Sequence, residues 1–260
     1  MKNILKFICS VAIFLATGFN LIASEQSHKF FNPEWSFKGF FGKFDRASLQ
    51  RGYQVYAEVC SSCHSIKYLS YRNLSEPGGP EFLEEQAKSI AAQFEVKDGP
   101  NSDGDMFTRS AKLSDKFVLP YQNEQEATAS NGGAYPPDLS VIVKARSDGA
   151  NYIYSVLLGY EDAPSGISLD DGVYYNRYMY GNKIKMPKPL SNDLVIYSDG
   201  TSATEKQMAK DVVTFLTWAA EPHLEARYKL GFRAITYLII ITILVYFSMK
   251  RIWSRIESKV

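Results

Sequence analysis

Apolar and polar positions follow three rhythms along the chain. In DRASLQRGYQVYAEVC (residues 45–60), Leu49, Tyr53, Tyr56 and Cys60 recur at helical spacing on one face, which predicts a helix capped by Asp45 and ending at Cys60. In SATEKQMAKDVVTFLTWAAEP (residues 202–222), Met208, Val212, Phe215 and Ala219 do the same. Ser202 and Glu205 predict its capping box and Pro222 its stop. Gly52 interrupts the first helix where a second helix can approach closely, and Phe215 and Trp218 are placed to fill that contact. In SNGGAYPPDLSVIVKARSDG, Pro136-Pro137 break a loop ahead of an expected short helix rich in Val and Ile, ending in Lys144 and Arg146.

The two ends carry continuous apolar runs instead. Residues 1–24 begin with Lys2 and Lys6, run through apolar residues 7–16 and reach Ala23-Ser24, the plan of a cleaved signal peptide. The stretch contains no Arg, unlike a transit peptide. Residues 230–249, LGFRAITYLIIITILVYFSM, hold one charge, Arg233, near the start, where it can snorkel. Twenty helical residues span roughly 30 Å, the thickness of a bilayer's hydrocarbon. The tail, residues 250–260, has Lys250, Arg251, Arg255 and Lys259 against Glu257, so the positive-inside rule makes it cytoplasmic. Residues 25–229 are therefore expected as one domain on the periplasmic side of a bacterial inner membrane.

Charge sharpens that division. The chain's formal net charge is +1, yet residues 25–229 hold 27 Asp and Glu against 22 Lys and Arg. An acidic exported domain argues against nucleic acid and for a basic partner.

With Cys9 in the signal, Cys60 and Cys63 of CSSCH are the remaining thiols, too few for a disulfide framework. Structural zinc needs about four ligands, and the histidines other than His64 are His28, near the start, and His223, at the foot of the membrane helix. A thiol oxidoreductase places its Cys-x-x-Cys at a helix N-terminus, whereas Cys60 ends one. Covalent haem satisfies these constraints: thiols three apart on a helical turn bond one edge of a porphyrin, and His64 then lies under the ring to ligate iron.

The opposite iron face needs a second ligand. Met208 reads as core and Met106, in the acidic loop GPNSDGDMF, as surface. Met179 and Met186 lie in YYNRYMYGNKIKMPKPLSND, where Pro187 and Pro189 restrain Met186. That restraint suits an axial thioether, with simple gap-filling as the alternative. His/Met ligation raises the reduction potential and leaves no open position for substrate, so such a protein passes single electrons. Lys144 or Arg146 could pair a propionate.

RGYQVYAEVCSSCHS, LSYRNL, DGPNSDGDMF, NGGAYPPDLSVIVKAR, NYIYSVLLGY, MPKPL and DGTSATEKQMAKDVVTFLTWAAEP, with the C-terminal anchor and basic tail, together resemble the cytochrome c1 family. These are haem subunits of quinol:cytochrome c oxidoreductase, the cytochrome bc1 complex. The resemblance covers most of the chain past the signal. It implies a mostly α fold: a c-type cytochrome domain with long loop insertions plus one C-terminal transmembrane helix. It implies one haem c held through thioethers to Cys60 and Cys63, with His64 and Met186, over Met179, as axial ligands. It also implies Pro136 and Pro137 against the haem, Asn131 and Tyr152 in the pocket, and Arg146 as propionate partner. The implied partners are cytochrome b, the Rieske iron–sulfur protein that delivers electrons and a soluble or membrane-tethered cytochrome c that collects them, in a dimeric complex. Residues 76–105, with eight acids against Lys88 and Lys97, and residues 161–171, with four acids and no base, could attract a basic acceptor. Lys183, Lys185 and Lys188 around Met186 depart from the more neutral family pattern and would repel such an acceptor locally.

Three other readings compete. A free-standing membrane-anchored cytochrome c feeding a terminal oxidase would not need the long acidic segment after His64. A membrane-tethered thiol oxidoreductase would have titratable thiols and no colour. In a non-catalytic assembly factor the C-terminal helix would matter and His64 would not.

Overall fold

The computed structural model describes residues 29–257, and side chains as far as residue 254. The signal-peptide reading of residues 1–24 and His28 lie outside the described residues. The fold is mostly helical: α1 (Arg46–Val55), α2 (Glu84–Ala92), α3 (Glu124–Ser130), α4 (Gly149–Leu158), α5 (Glu205–Ala220) and α6 (Leu224–Glu257). Two antiparallel hairpins complete it, β1 (Glu95–Asp98) with β2 (Phe107–Ser110) and β3 (Tyr174–Tyr175) with β4 (Lys183–Ile184). Long loops separate these elements.

The core forms where α1 crosses α5. A Cβ on Gly52 would stand 2.1 Å from the Asp211 carbonyl oxygen and 2.8 Å from Phe215 Cβ, so only glycine lets the backbones meet. Phe215 packs on Tyr53 and Tyr56, at centroid distances of 5.7 and 5.8 Å, and on Trp218 at 5.5 Å. Met208, expected as core, is fully buried. Asp45 caps α1 as its pattern predicts, its carboxylate accepting from Ser48 N at 3.2 Å and Ser48 Oγ at 2.7 Å. Arg51 donates to both oxygens of the fully buried Asp211, at 2.8 and 3.1 Å, and to Asp199 at 2.7 Å. Those bonds satisfy a carboxylate whose burial alone would be costly.

Two expectations change. Thr204, not Ser202, caps α5, its hydroxyl accepting from Gln207 N at 3.2 Å. Asn192 takes the Glu205 N–H at 3.0 Å. Both hydroxyl residues precede the apolar run, and the cap goes to the one whose neighbour Asn192 can serve the next donor. The Val- and Ile-rich segment before Arg146 forms successive turns instead of a helix. Val141, Ile142 and Val143 lose χ1 freedom in a helix. At Asp148 the backbone enters the left-handed region (φ 51°), and α4 starts at Gly149, whose Cβ would sit 1.9 Å from the Val143 carbonyl oxygen.

The described N-terminal segment laces onto α4: Phe31 N donates to Ser155 Oγ at 2.8 Å and Trp35 Nε1 to Asn151 Oδ1 at 2.6 Å. At the other end, α6 begins with Leu224 and Glu225 buried in the domain, then runs on as an exposed apolar helix long enough to cross a membrane. Glu225 receives two bonds from Arg46, both 2.9 Å, and one from Phe44 N at 2.9 Å. The start of α1 is thereby tied to the foot of the membrane helix.

Candidate haem site

The cysteine pair lies where α1 ends in an unusual turn. Residues Tyr56–Cys60 continue α1 as a π-helical turn, a local widening often found at functional sites. Ser61 N donates to Tyr56 O at 2.8 Å, after which Cys63 N and His64 N both return to Cys60 O, at 3.2 and 2.8 Å. One carbonyl thus gathers Cys60, Cys63 and His64 onto a single turn. Tyr56 Oη, donating to His64 O at 3.2 Å, holds that turn against the aromatic core.

His64 is oriented from the far side. Its Nδ1 lies 2.8 Å from the Pro137 carbonyl oxygen. A carbonyl can only accept, so Nδ1 carries the proton and Nε2 is left with a free lone pair. Burial lowers the imidazole pKa, outweighing the opposing pull of the Pro137 bond and nearby Asp138. This neutral tautomer, fixed by a backbone carbonyl, is the form in which an imidazole ligates metal. The proline segment is itself pinned: Asp138 accepts from Ser65 Oγ (2.7 Å), Lys67 N (3.0 Å) and Ser140 N (2.9 Å), and Leu139 N donates to Ser65 O (2.8 Å). Burial pushes the Asp138 pKa upward, but these hydrogen bonds prevail and hold it below the usual range.

No disulfide joins Cys60 and Cys63, and burial, with the neighbouring Cys63, pushes the Cys60 thiol up to about 12. A catalytic dithiol needs the opposite shift. Among the described residues no group of three or more His, Cys, Asp or Glu is placed to hold a metal ion. Among the described residues no four-ligand set for structural zinc forms, and Cys60 lacks the depressed pKa of an exchanging thiol. Two thiols one turn apart, a neutral imidazole with Nε2 free and a thioether on a proline-stiffened loop are the donors a c-type haem uses.

The methionine segment is positioned by separate contacts. Hairpin β3–β4, pairing Tyr174 with Ile184 and Tyr175 with Lys183, delivers the chain to Met186. Tyr160 Oη donates to Met186 O at 3.0 Å, and Lys185 Nζ to Gly132 O at 3.1 Å. Lys188 pairs with Glu205 at 2.8 Å. Two of the three lysines around Met186 are thus engaged locally, and Lys183 is exposed. The Met179 sulfur accepts from Tyr152 Oη at 3.5 Å.

The remaining predicted residues divide. Asn131 Nδ2 donates to Tyr121 Oη at 3.0 Å and Ala127 O at 2.6 Å. Tyr121 and Ala127, with Cys63, Tyr135 and Pro136, border a cleft of about 370 Å³. Arg146 is exposed, its guanidinium donating to Ala145 O at 3.0 Å. Lys144 is committed to Glu221 at 2.8 Å. Met106 is 64% exposed, as its loop predicts. Sequence reasoning missed Tyr160 and Asp138, and the use of the Pro137 carbonyl. An acid directly after the double proline was the one local signal for any of them.

Residues 35–256 match the Cytochrome C1 family. A cytochrome b/c1 of Bradyrhizobium diazoefficiens is 47% identical, the match covering 95% of this chain and 39% of that protein's length. The mitochondrial heme protein cytochrome c1 1 of Arabidopsis thaliana is 48% identical, with 93% of this chain and 79% of that one covered. A mitochondrial cytochrome b-c1 complex catalytic subunit of Candida albicans is 46% identical, over 86% and 77% of the two chains.

Proposed function

The chain belongs to the cytochrome c1 family, and we propose that Cys60 and Cys63 hold one haem c through two thioethers, with His64 and Met186 as axial ligands. It is an electron carrier of the cytochrome bc1 complex, the quinol–cytochrome c reductase. The observation that supports the ligand assignment is the Nδ1 hydrogen bond of His64 to Pro137, which leaves Nε2 with a free lone pair on the turn that carries both cysteines.

When bound, the haem supplies a one-electron couple. The chain's own residues fix its surroundings. The turn gathered on Cys60 O holds both thiols and the imidazole in one register. Pro137 keeps the imidazole neutral and aimed, and Tyr160 with Pro187 holds the Met186 thioether in place. His64 and Met186 would together hold the haem iron with the chain's own side chains and would leave substrate no place to bind it. Arg146, exposed and free of any carboxylate among the described residues, is the propionate partner. The family resemblance assigns Asn131 and Tyr152 to the haem pocket and sets Pro136 and Pro137 against the haem.

One C-terminal helix spans the membrane. On this reading residues 25–229 form the periplasmic domain of a bacterial inner membrane, residues 230–249 the span and residues 250–260 the cytoplasmic tail, in a dimeric complex. Electrons arrive from the Rieske iron–sulfur protein, itself served by quinol oxidation in cytochrome b, and leave to a cytochrome c. Purification of the tagged chain in mild detergent tests this against a free-standing cytochrome. A b-type haem spectrum and a Rieske paramagnetic signal should accompany it, with quinol-dependent reduction of cytochrome c. A chain that purifies alone and is not reduced by quinol contradicts the proposal.

A further inference from the structure

The segment joining the N-terminal strand of chain to α1 ends in a turn of unusual composition. Gly42 N donates to Gly39 O at 3.2 Å, closing a four-residue turn with Phe40 and Phe41 at its two central positions. Such positions ordinarily carry glycine, proline or small polar residues. Here they carry two phenylalanines, 62% and 76% exposed. The flanking glycines are what allow the turn. Gly39 has φ +91°, and a Cβ on Gly42 would fall 2.2 Å from the Phe37 carbonyl oxygen. On either side the chain is rooted in the core by Trp35, Phe37 and Phe44, all buried and packed in series with tilted rings at 5.3 and 5.4 Å. The tip is therefore held outward by a rigid base, which is poor design for a surface meant to face water.

The rings meet α6. Phe40 lies 6.4 Å and Phe41 6.2 Å from the ring of Phe232, which is itself 51% exposed. Phe232 is two residues beyond Leu230, about 3 Å along the helix, and so stands at the first level of the apolar span. Four exposed cations frame the patch, Lys38 and Lys43 on the turn and Lys229 and Arg233 on the helix. Among the described residues no carboxylate forms an ion pair with Lys38, Lys43 or Arg233, while Lys229 lies near Glu225 and, against the effect of burial, helps hold its pKa below the usual range. Aromatic rings at the mouth of a span, ringed by lysine and arginine, have the composition of a membrane interface, where rings enter the headgroup region and cations meet lipid phosphates.

We infer that the turn of residues 39–42 is a second membrane contact, in which Phe40 and Phe41 insert beside Phe232 into the outer-facing leaflet while Lys38 and Lys43 bind its phosphates. Arg46, two residues past the buried Phe44, is bonded to Glu225 at the foot of α6. The inserted turn and the helix would thus grip the lipid surface as one unit and fix the tilt of α1, which ends in the haem-attachment turn, relative to the bilayer. The inference rests on the reading of α6 as a membrane span.

The test uses the full haem-bearing chain in its complex, reconstituted in liposomes, with a nitroxide attached to Phe41→Cys and, separately, Phe40→Cys. Unsubstituted protein supplies the labelling background. Power saturation compares relaxation by oxygen with relaxation by a water-soluble nickel chelate. The expected oxygen-to-nickel ratio is clearly above that of Leu83→Cys, an exposed site on the domain, as for a probe buried in the headgroup and acyl boundary. A ratio equal to that of Leu83→Cys overturns the inference. A label immobilised and shielded from both agents also overturns it, since protein and not lipid would then cover the turn. Leu238→Cys, in the middle of α6, separates the two claims. If it too is open to the nickel chelate, the membrane-span reading fails; if it is shielded while Phe41→Cys is aqueous, only the turn's insertion fails.

Discussion

Residues 60–64 and residues 183–189 carry the two groups proposed to face each other across a haem, yet they are built by different means. The first segment prolongs a core helix. Gly52 presses that helix against α5, Tyr56 binds its last turn, and the Pro137 carbonyl fixes the imidazole. The second hangs from a two-residue hairpin and depends on a few scattered bonds, Tyr160 to Met186 O, Lys185 to Gly132 O and Lys188 to Glu205. One side is fixed by the fold itself and the other by separable contacts. Changes on the histidine side should therefore cost folding or haem retention, and changes on the methionine side should retune a protein that still folds.

The largest break expected is Gly52→Val. A side chain there meets the α5 backbone, so the variant should lose several kcal/mol of stability, on the order of 3 or more. A thermal melt of the membrane-extracted protein checks it. A melting temperature within a degree or two of wild type would mean the two helices are not held as described.

Cys63→Ser should come next, leaving folded protein with a single thioether and much less haem surviving a denaturing gel. Met186→Leu should keep covalent haem and instead lower the reduction potential by on the order of hundreds of mV, as loss of an axial thioether does. A redox titration distinguishes the two. Equal loss of covalent haem in both variants would erase the contrast between the segments.

Tyr160→Phe sharpens the comparison at smaller scale. Losing one hydrogen bond to the Met186 carbonyl costs about 1 kcal/mol. The methionine–iron absorption band should then disappear at lower denaturant concentration, while global unfolding by circular dichroism moves less. Coincident shifts of both transitions would mean the methionine segment is no more separable than the histidine turn.

The smallest effect is on pH. The Asp138 pKa is depressed in the folded protein because hydrogen bonds from Ser140 and Ser65 and the Lys67 N–H outweigh burial. Its contribution is therefore fully present above the unfolded value of about 3.9 and is lost as pH falls below that, through the folded value. Asp138→Asn should flatten this acid limb of the stability curve without altering stability's slope near neutrality. An unchanged acid limb would mean the proline segment is held by other contacts.

How much of this was legible in the sequence follows the same division. The α1 and α5 periodicities, the Asp45 cap, the Gly52 approach and the buried Met208 were readable because local pattern and tertiary packing agree there. The Val- and Ile-rich segment misled because apolar residues at close spacing fit a helix and a folded-down turn equally well, and the left-handed Asp148 that decides between them carries no pattern. Ser202-x-x-Glu205 and Thr204-x-x-Gln207 both read as capping boxes, and the contact that accompanies the second, Asn192 on the Glu205 N–H, carries no pattern. Pro136 and Pro137 were visible as residues, but the part of Pro137 that orients His64 is a backbone carbonyl, which every residue type possesses. Tyr160 was invisible for a related reason: a tyrosine ending a helix announces burial, not which carbonyl its hydroxyl will meet.

The most direct test of the account is the oxidised absorption spectrum of the purified full-length protein, wild type against Met186→Leu, paired with a haem-stained denaturing gel. The account predicts haem that remains with the chain through the gel in both proteins, and a methionine-to-iron charge-transfer band present in wild type and absent in Met186→Leu. A band that survives in Met186→Leu would move the axial position to another residue, Met179 first. A wild-type chain that loses its haem in the gel would contradict covalent attachment at Cys60 and Cys63 and with it the central claim.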